Sequence, residues 1–311
     1  MTGYDIIGDI HGYCDPLEAL LDTLGYRRVD GVYRHPQHRV IFLGDFIDRG
    51  PQQREVVELA RRMLDAGTAL AVMGNHEFNA LAWSTPDRAG GYLRPHTEKN
   101  RRQHQAFLDA YADDPQAHAR VLDWFRELPI WLDLGGLRIV HACWDPDAIA
   151  SLEAVGEGQG SLTESFLAAA VSPGGWQHTA IETLLKGKEI ALPAESGYHD
   201  KEGTLRHQMR VRWWDRGATS YREAFMGPES ARTHIPDDPI HGEHLIEYAH
   251  DAPPVFLGHY WLEGTPGPLA SNIACLDYSV AKPGGKMVAY RWQGEQQLCQ
   301  ENFVWVSRSG R

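Results

Sequence analysis

Residues 39–50 read RVIFLGDFIDRG. Arg39–Leu43 is a short apolar run of the kind a parallel sheet buries on both faces, and it runs straight into a loop carrying two carboxylates and an arginine. Pro51 then opens a helix whose Val56, Val57, Leu59, Ala60, Met63 and Leu64 share one face, and Gly67 closes it. The same strand, loop and helix unit lies on either side. Upstream, Tyr4–Gly8 runs into GDIHG (8–12), with Pro16 at a first helical position and Leu17, Leu20, Leu21 and Leu24 at helical spacing before Gly25. Downstream, Leu70–Met73 runs into GNHE (74–77), with a helix from near Asn75 to about Trp83. Each polar cluster follows the carboxyl end of a strand, where open α/β sheets place their ligands.

Beyond these units the pattern thins. Residues 84–126 are polar and rich in His and Arg, with a helix expected over 116–128. Ile130–Leu134 and Leu137–Val140, around Gly135-Gly136, predict a hairpin with His141 at its exit. Within 145–250 the spacing predicts helices near 163–170 and 179–186, a loop-rich stretch around RVRWWD (210–215), and a helix from about Gly242 to His250. Val255–Leu257 is a strand leading into Gly258-His259. NIACLDYSV, KMVAYRW and FVWVS close the chain as strands between Gly/Pro turns. Candidate ligands extend from Asp9 to His259, so the expectation is one domain over residues 1–311 with insertions at about 84–128 and 145–250.

A chain of 311 residues, 42% hydrophobic and 23% charged, buries about three quarters of its unfolded surface and suits an ordinary globular enzyme. Its formal charge of −12 disfavours nucleic acid and anionic membranes as partners. No stretch approaches the roughly 20 consecutive apolar residues of a spanning helix, and MTGYDIIGDI lacks the basic start and apolar run of a signal peptide. A cytoplasmic location is expected. Cys14, Cys143, Cys275 and Cys299 form no CxxC pair, which fits free thiols rather than disulfides or a zinc knuckle. Sixteen histidines matter only by position, since the same side chain serves surfaces, metals and proton transfer.

Taken singly, the clusters are ambiguous. Asp9 and His11, two residues apart between glycines, either converge on one cation or act as a helix cap and a surface histidine. Asp45, Asp48 and Arg49 are either a functional loop or a solvated turn before a helix. Asn75 and Glu77 suit a helix N-terminus, with Asn75 as cap, and a capping role leaves a ligand role open. The joint order is the stronger signal: three such loops, each after a strand, about thirty residues apart.

GDIHG, GDFIDRG and GNHE together resemble the calcineurin-like metallophosphoesterases, and more narrowly their phosphoprotein phosphatase branch. That branch includes the serine/threonine protein phosphatases and the symmetrical dinucleoside tetraphosphatases. Val140-His141-Ala142 and Gly258-His259 match the later histidines of the pattern, and Cys275-Leu276-Asp277 with Gly284-Gly285-Lys286 resembles its closing strands. The resemblance implies an α/β fold, a four-layered α/β/β/α sandwich with insertions. It also implies two divalent transition-metal ions, manganese foremost, with iron, zinc or nickel as alternatives. Asp9 and His11 would hold the first, Asp45 would bridge, and the second would take Asp45, Asn75, His141 and His259. Such a mixture of oxygen donors and imidazoles suits these metals better than calcium or magnesium.

By the same resemblance a metal-bound hydroxide attacks phosphorus, and His76, paired with Asp48, faces the leaving oxygen as its proton donor. Arg49 offers a planar fork for phosphate oxygens. Arg210 and Arg212, in HQMRVRWWD, are the candidates for a further substrate arginine, both on one strand face by alternation. The remaining histidines, His104 among them, read mostly as surface residues, with a few left as candidates to line the cleft. The expected activity is hydrolysis of a phosphomonoester on a phosphorylated small molecule, nucleotide or phosphoprotein. The alternatives are a dinucleoside polyphosphate or phosphodiester hydrolase and, further off, an inactive metal-binding scaffold. ACWDP after His141 replaces the Gly-Gly of protein phosphatases, which counts against a protein substrate.

Overall fold

The apolar runs of the N-terminal half form the centre of one sheet. Gly3–Ile7 pairs in parallel with His38–Phe42, which pairs in parallel with Ala69–Ala71. On its other side Gly3–Ile7 meets Lys286–Trp292 antiparallel, and that strand also carries Asp277–Tyr278 and Phe303–Ser307. A second sheet runs in the order Ile273–Cys275, Val255–Leu257, Arg138–Val140, Trp131–Asp133, parallel except for the final hairpin. This is a computed structural model describing residues 3–160, 162–194, 196–199, 205–227 and 229–308.

Alternation along the strands sorts the side chains into layers. Ile6, Ile41, Val288 and Tyr290 of the first sheet meet Ile139, Phe256 and Ala274 of the second in one buried cluster. Their neighbours Ile7, Val40, Phe42 and Ala289, and Val140, Val255 and Leu257, point the other way and pack with helical side chains. Cys14–Thr23 and Gln53–Asp65 supply Leu17, Leu21, Val56 and Met63. Trp176–Lys186 supplies Ile181 and Leu184, and Ala142 N–H donates to its Leu184 carbonyl at 2.9 Å. The result is the expected helix, sheet, sheet, helix sandwich.

Three departures have local causes. The helix expected from Pro51 starts at Gln53, because the Gln53 amide accepts from Asp48 N–H and donates to the Gly50 carbonyl, each at 2.7 Å. Pro51 and Gln52 are thereby kept in the loop. Glu98–Tyr111 and Pro146–Ala154 are helices where none was expected, each opened by a capping side chain, Thr97 and Asp145. The helix expected over Gly242–His250 does not form. That segment is strapped to its surroundings instead: Ile246 N–H donates to the Trp213 carbonyl at 3.1 Å, His244 Nε2 meets the Asp215 carbonyl at 2.8 Å, and Lys188 Nζ reaches the Leu245 carbonyl at 2.7 Å.

Residues 189–240 have an apolar cluster of their own, including Met209, Val211, Phe225 and Ile235. Among the described residues no helix is long and apolar enough to cross a membrane.

Candidate metal centre

Five loops, each beyond the carboxyl end of a strand, bring Asp9, His11, Asp45, Asn75, His141 and His259 together. His11 Nε2 lies 3.9 Å from Asp9 Oδ2 and 3.7 Å from Asp45 Oδ2. His141 Nε2 lies 3.4 Å from the same Asp45 oxygen and 3.2 Å from Asn75 Oδ1. His259 Nδ1 is 2.7 Å from Asn75 Oδ1, and its backbone N–H donates to both oxygens of Asp9 at 3.2 and 3.1 Å. Asp45 offers an oxygen to two groups whose donor atoms lie within 4.8 Å of one another, one with His11 and His76, the other with His141 and His259.

The backbone bends unusually to do this. His11, Asp45, Asp48, Arg49, His259 and Trp261 all take positive φ, between 49° and 71°, a region costly for side-chain-bearing residues and often occupied at functional sites. Interlocking hydrogen bonds hold them there. The Ile10 and His11 N–H groups donate to the Asp45 carbonyl at 3.1 and 2.8 Å. Glu77, fully buried, accepts from Gly74, Asp45 and Phe46 N–H at 3.0, 2.8 and 2.9 Å. Asn75 does not cap its helix as expected. Gly74 occupies the cap position, while the Asn75 side chain faces His141 and His259. Close approach also demands glycine: a Cβ at Gly258 would lie 2.0 Å from Asp9 Oδ1, and one at Gly74 2.3 Å from Asp45 Oδ1.

The ring orientations suit a cation. The Nδ1 atoms of His11 and His141 face the carbonyls of Ile47 and Leu43 at 3.0 and 2.6 Å. Each Nδ1 therefore donates, leaving Nε2 aimed into the cluster. His11 Nε2 and His259 Nε2 are buried without a hydrogen-bond partner. Burial holds His11 down to about 3, so its ring is neutral and ready to donate electrons. Burial and the neighbouring Asp277 push Asp9 well above the usual carboxylate range. Asp45 is held well below it despite its burial, chiefly by His141 and His76, and His141 is raised to about 10, the carboxylates of Asp45 and Asp9 outweighing its burial. A buried set of carboxylates that draws a proton onto His141, with imidazole nitrogens turned inward, fits divalent cations, which would take that proton's place.

Beside this cluster, His76 Nδ1 lies 2.5 Å from Asp48 Oδ2 while its Nε2 faces Asp45 Oδ2 at 3.9 Å. Burial lowers the His76 pKa, but Asp45 and Asp48 outweigh that and raise it overall. Arg49 lays its guanidinium over the Trp261 ring, 4.1 Å from the centroid. Arg210 ends the strand Gln208–Arg210, pairs with Glu189 at 3.3 Å, and its charge reaches His259. Beyond it Val211 bridges Phe225 and Arg212 N–H donates to the Ala224 carbonyl at 2.8 Å, so Arg212 alternates with Arg210 about the buried Val211, and its guanidinium faces Asp215 at 3.9 Å.

Sequence reasoning overlooked several residues here. His104, read as a surface histidine, is buried against Asp48; its signal was the inward spacing His104, Phe107, Tyr111. His244 is buried as well. Glu77 and Trp261 position the loops, and Asp277 accepts from Trp261 and Ser279 N–H at 2.7 and 2.9 Å.

The calcineurin-like phosphoesterase family model matches residues 4–158, about half of the chain. An asymmetrical bis(5'-nucleosyl)-tetraphosphatase, PrpE, of Halalkalibacterium halodurans is 49% identical over 74 residues, 24% of this chain and 30% of the relative. The chain thus matches about 30% of the length of this curated relative. A protein serine/threonine phosphatase structure from Saccharomyces cerevisiae aligns with a TM-score of 0.52 at 14% identity, covering 98% of this chain and 79% of that one. A cold-active protein-tyrosine phosphatase of a Shewanella species aligns with a TM-score of 0.51 at 14% identity, covering 99% and 81%. Likeness at that identity speaks for the fold alone, and it is the same fold. With the three motif loops and His141 all inside the matched segment, the chain belongs to the calcineurin-like metallophosphoesterases.

Proposed function

We propose that this chain is a two-metal phosphohydrolase acting on a phosphorylated small molecule, with its ligands, from Asp9 to His259, in one domain. The observation that carries the reading is the convergence of Asp9, His11, Asp45, Asn75, His141 and His259 beside the His76–Asp48 pair. Asp9, His11 and Asp45 would hold one ion, and Asp45, Asn75, His141 and His259 the other. Bound there, divalent cations supply Lewis acidity toward phosphoryl oxygens and acidify water at neutral pH. Manganese is the first choice, with iron, zinc and nickel following, because the donors mix oxygen with imidazole.

The chain's own groups do the rest. Arg49, steadied by Trp261, presents parallel N–H donors to two phosphate oxygens. Arg210 adds charge from the far bank, whereas Arg212 faces Asp215. Asp48 accepts from His76 Nδ1–H and so turns Nε2 inward, where His76 can pass a proton to the departing oxygen. Free thiols at Cys14, Cys143, Cys275 and Cys299 support a reducing, cytoplasmic setting.

Phosphomonoester hydrolysis is the parent reaction. A second reading, cleavage of a dinucleoside polyphosphate, is favoured by the relative's printed activity. The test is metal-stripped protein reloaded with Mn, Fe, Zn or Ni and assayed on phosphomonoesters, a phosphoserine peptide and diadenosine tetraphosphate. Turnover of a small phosphate compound with at least one ion is expected. Failure on every substrate with every ion would overturn the reading.

A further inference from the structure

Asp48 is shared between two histidines. Its Oδ2 lies 2.5 Å from His76 Nδ1, and its Oδ1 lies 2.8 Å from His104 Nδ1. All three residues are buried, Asp48 to 2% exposure and His104 to 4%. His104 belongs to the helix Glu98–Tyr111 of the 84–128 insertion, and its ring packs near Trp83 and Phe107, centroids 5.8 and 5.0 Å away. Its Nε2 is buried without a hydrogen-bond partner, so the ring's polar contact is with Asp48. Arg94, from the same insertion, adds positive charge that reaches Asp48.

An ionised carboxylate only accepts, so both rings must present Nδ1–H to it. Their tautomers, and therefore the direction in which His76 Nε2 points, are tied to one carboxylate. Take His104 away and Asp48 Oδ1 is left buried without that donor, a costly state. Asp48 then rotates or takes up a proton, and either change loosens His76.

We propose that His104 is a positioning residue: by occupying the second oxygen of Asp48 it holds the carboxylate in the orientation that aims His76 at the leaving group. Proton donation is thereby governed partly by the 84–128 insertion and not by the motif loops alone. The inference rests on the phosphohydrolase reading, and two separate readouts keep the two apart.

The first readout needs neither metal nor turnover: ¹⁵N-resolved imidazole spectra of the metal-free full chain. The His76 Nδ1–H signal should move or disappear in His104→Phe and persist in His104→Asn, whose amide puts a donor where Nδ1 was. A His76 signal unchanged in His104→Phe overturns the proposal. Should the core refuse phenylalanine, His104→Gln replaces it, since its amide reaches the Nε2 end of the ring and must also fail to hold His76.

The second readout is kinetic, on manganese-loaded protein. His104→Phe should lower kcat for alkyl phosphates about tenfold more than for 4-nitrophenyl phosphate, with KM unchanged and His104→Asn restoring most of the loss. Equal loss for good and poor leaving groups overturns positioning and leaves a packing role. If the wild-type chain turns over neither substrate, the phosphohydrolase reading falls, and the imidazole spectra alone decide whether His104 holds His76.

Discussion

Residues 3–84 and residues 189–240 are built on opposite plans. In the first, loops brace one another through the backbone: the Ile10 and His11 N–H groups rest on the Asp45 carbonyl, and Asp45 and Phe46 N–H rest on Glu77. Each loop supplies a hydrogen-bond partner to another. In the second, strands of two or three residues pair in separate ladders, Glu189–Ala191 with Gln208–Arg210 and Tyr198–His199 with Leu205–Arg206. These sit over a cluster distinct from the main core, and from this segment Arg210 extends its charge toward the centre. Under the proposed function, the contrast would give chemistry to the braced frame and substrate contact to the looser segment of short ladders.

That division can be broken most sharply inside the frame. Asn75→Ala removes an oxygen shared by His141 and His259, so nearly all turnover should vanish and metal analysis should show one ion lost per chain; wild-type turnover would sink the ligand assignment. His76→Asn comes next. Metal content should stay whole while rates drop about 10²- to 10⁴-fold, most for poor leaving groups, and a uniform drop would end the proton-donor role.

Glu77→Gln probes the brace itself. Burial and the adjacent Asp45 raise the Glu77 carboxyl from 4.5 to about 7. The folded state therefore keeps a proton that the unfolded chain has already released, and metal-free stability should fall as pH rises from 4.5 to about 7. The fall should reach about 3 kcal/mol at most, at about 1.4 kcal/mol per unit. Urea melts with chelator at both ends of that window should show a shallower slope in Glu77→Gln, and parallel slopes would contradict the assignment.

The smallest effects belong to the looser segment. Arg210→Ala should raise KM about tenfold, roughly the worth of one charge-assisted hydrogen bond, while Arg212→Ala should stay within about twofold. Equal effects would mean that both arginines, or neither, meet the substrate.

The same contrast explains what was legible beforehand. A strand buried on both faces is a continuous apolar run, so RVIFL and its two companions announce themselves, and the polar loops after them locate Asp9, Asp45 and Asn75. The helix Glu98–Tyr111 was hidden because one of its inward positions is His104, which counts as polar in any periodicity. In 242–250, Leu245, Ile246 and Tyr248 satisfy a helical spacing, yet one backbone hydrogen bond to Trp213 and the Lys188 ammonium on the Leu245 carbonyl strap the segment elsewhere, and no local pattern records those partners. Alternation places Arg210 and Arg212 on one side of the buried Val211, but the Asp215 that Arg212 faces is no part of that periodicity.

The left-handed residues at His11, Asp45 and His259 are braced by hydrogen bonds among protein atoms, His11 N–H to the Asp45 carbonyl and His259 N–H to Asp9. A cation entering such a braced cradle would ask for little rearrangement of the backbone. Under the two-metal proposal, loss and replacement of an ion would then be local exchange events rather than partial unfolding.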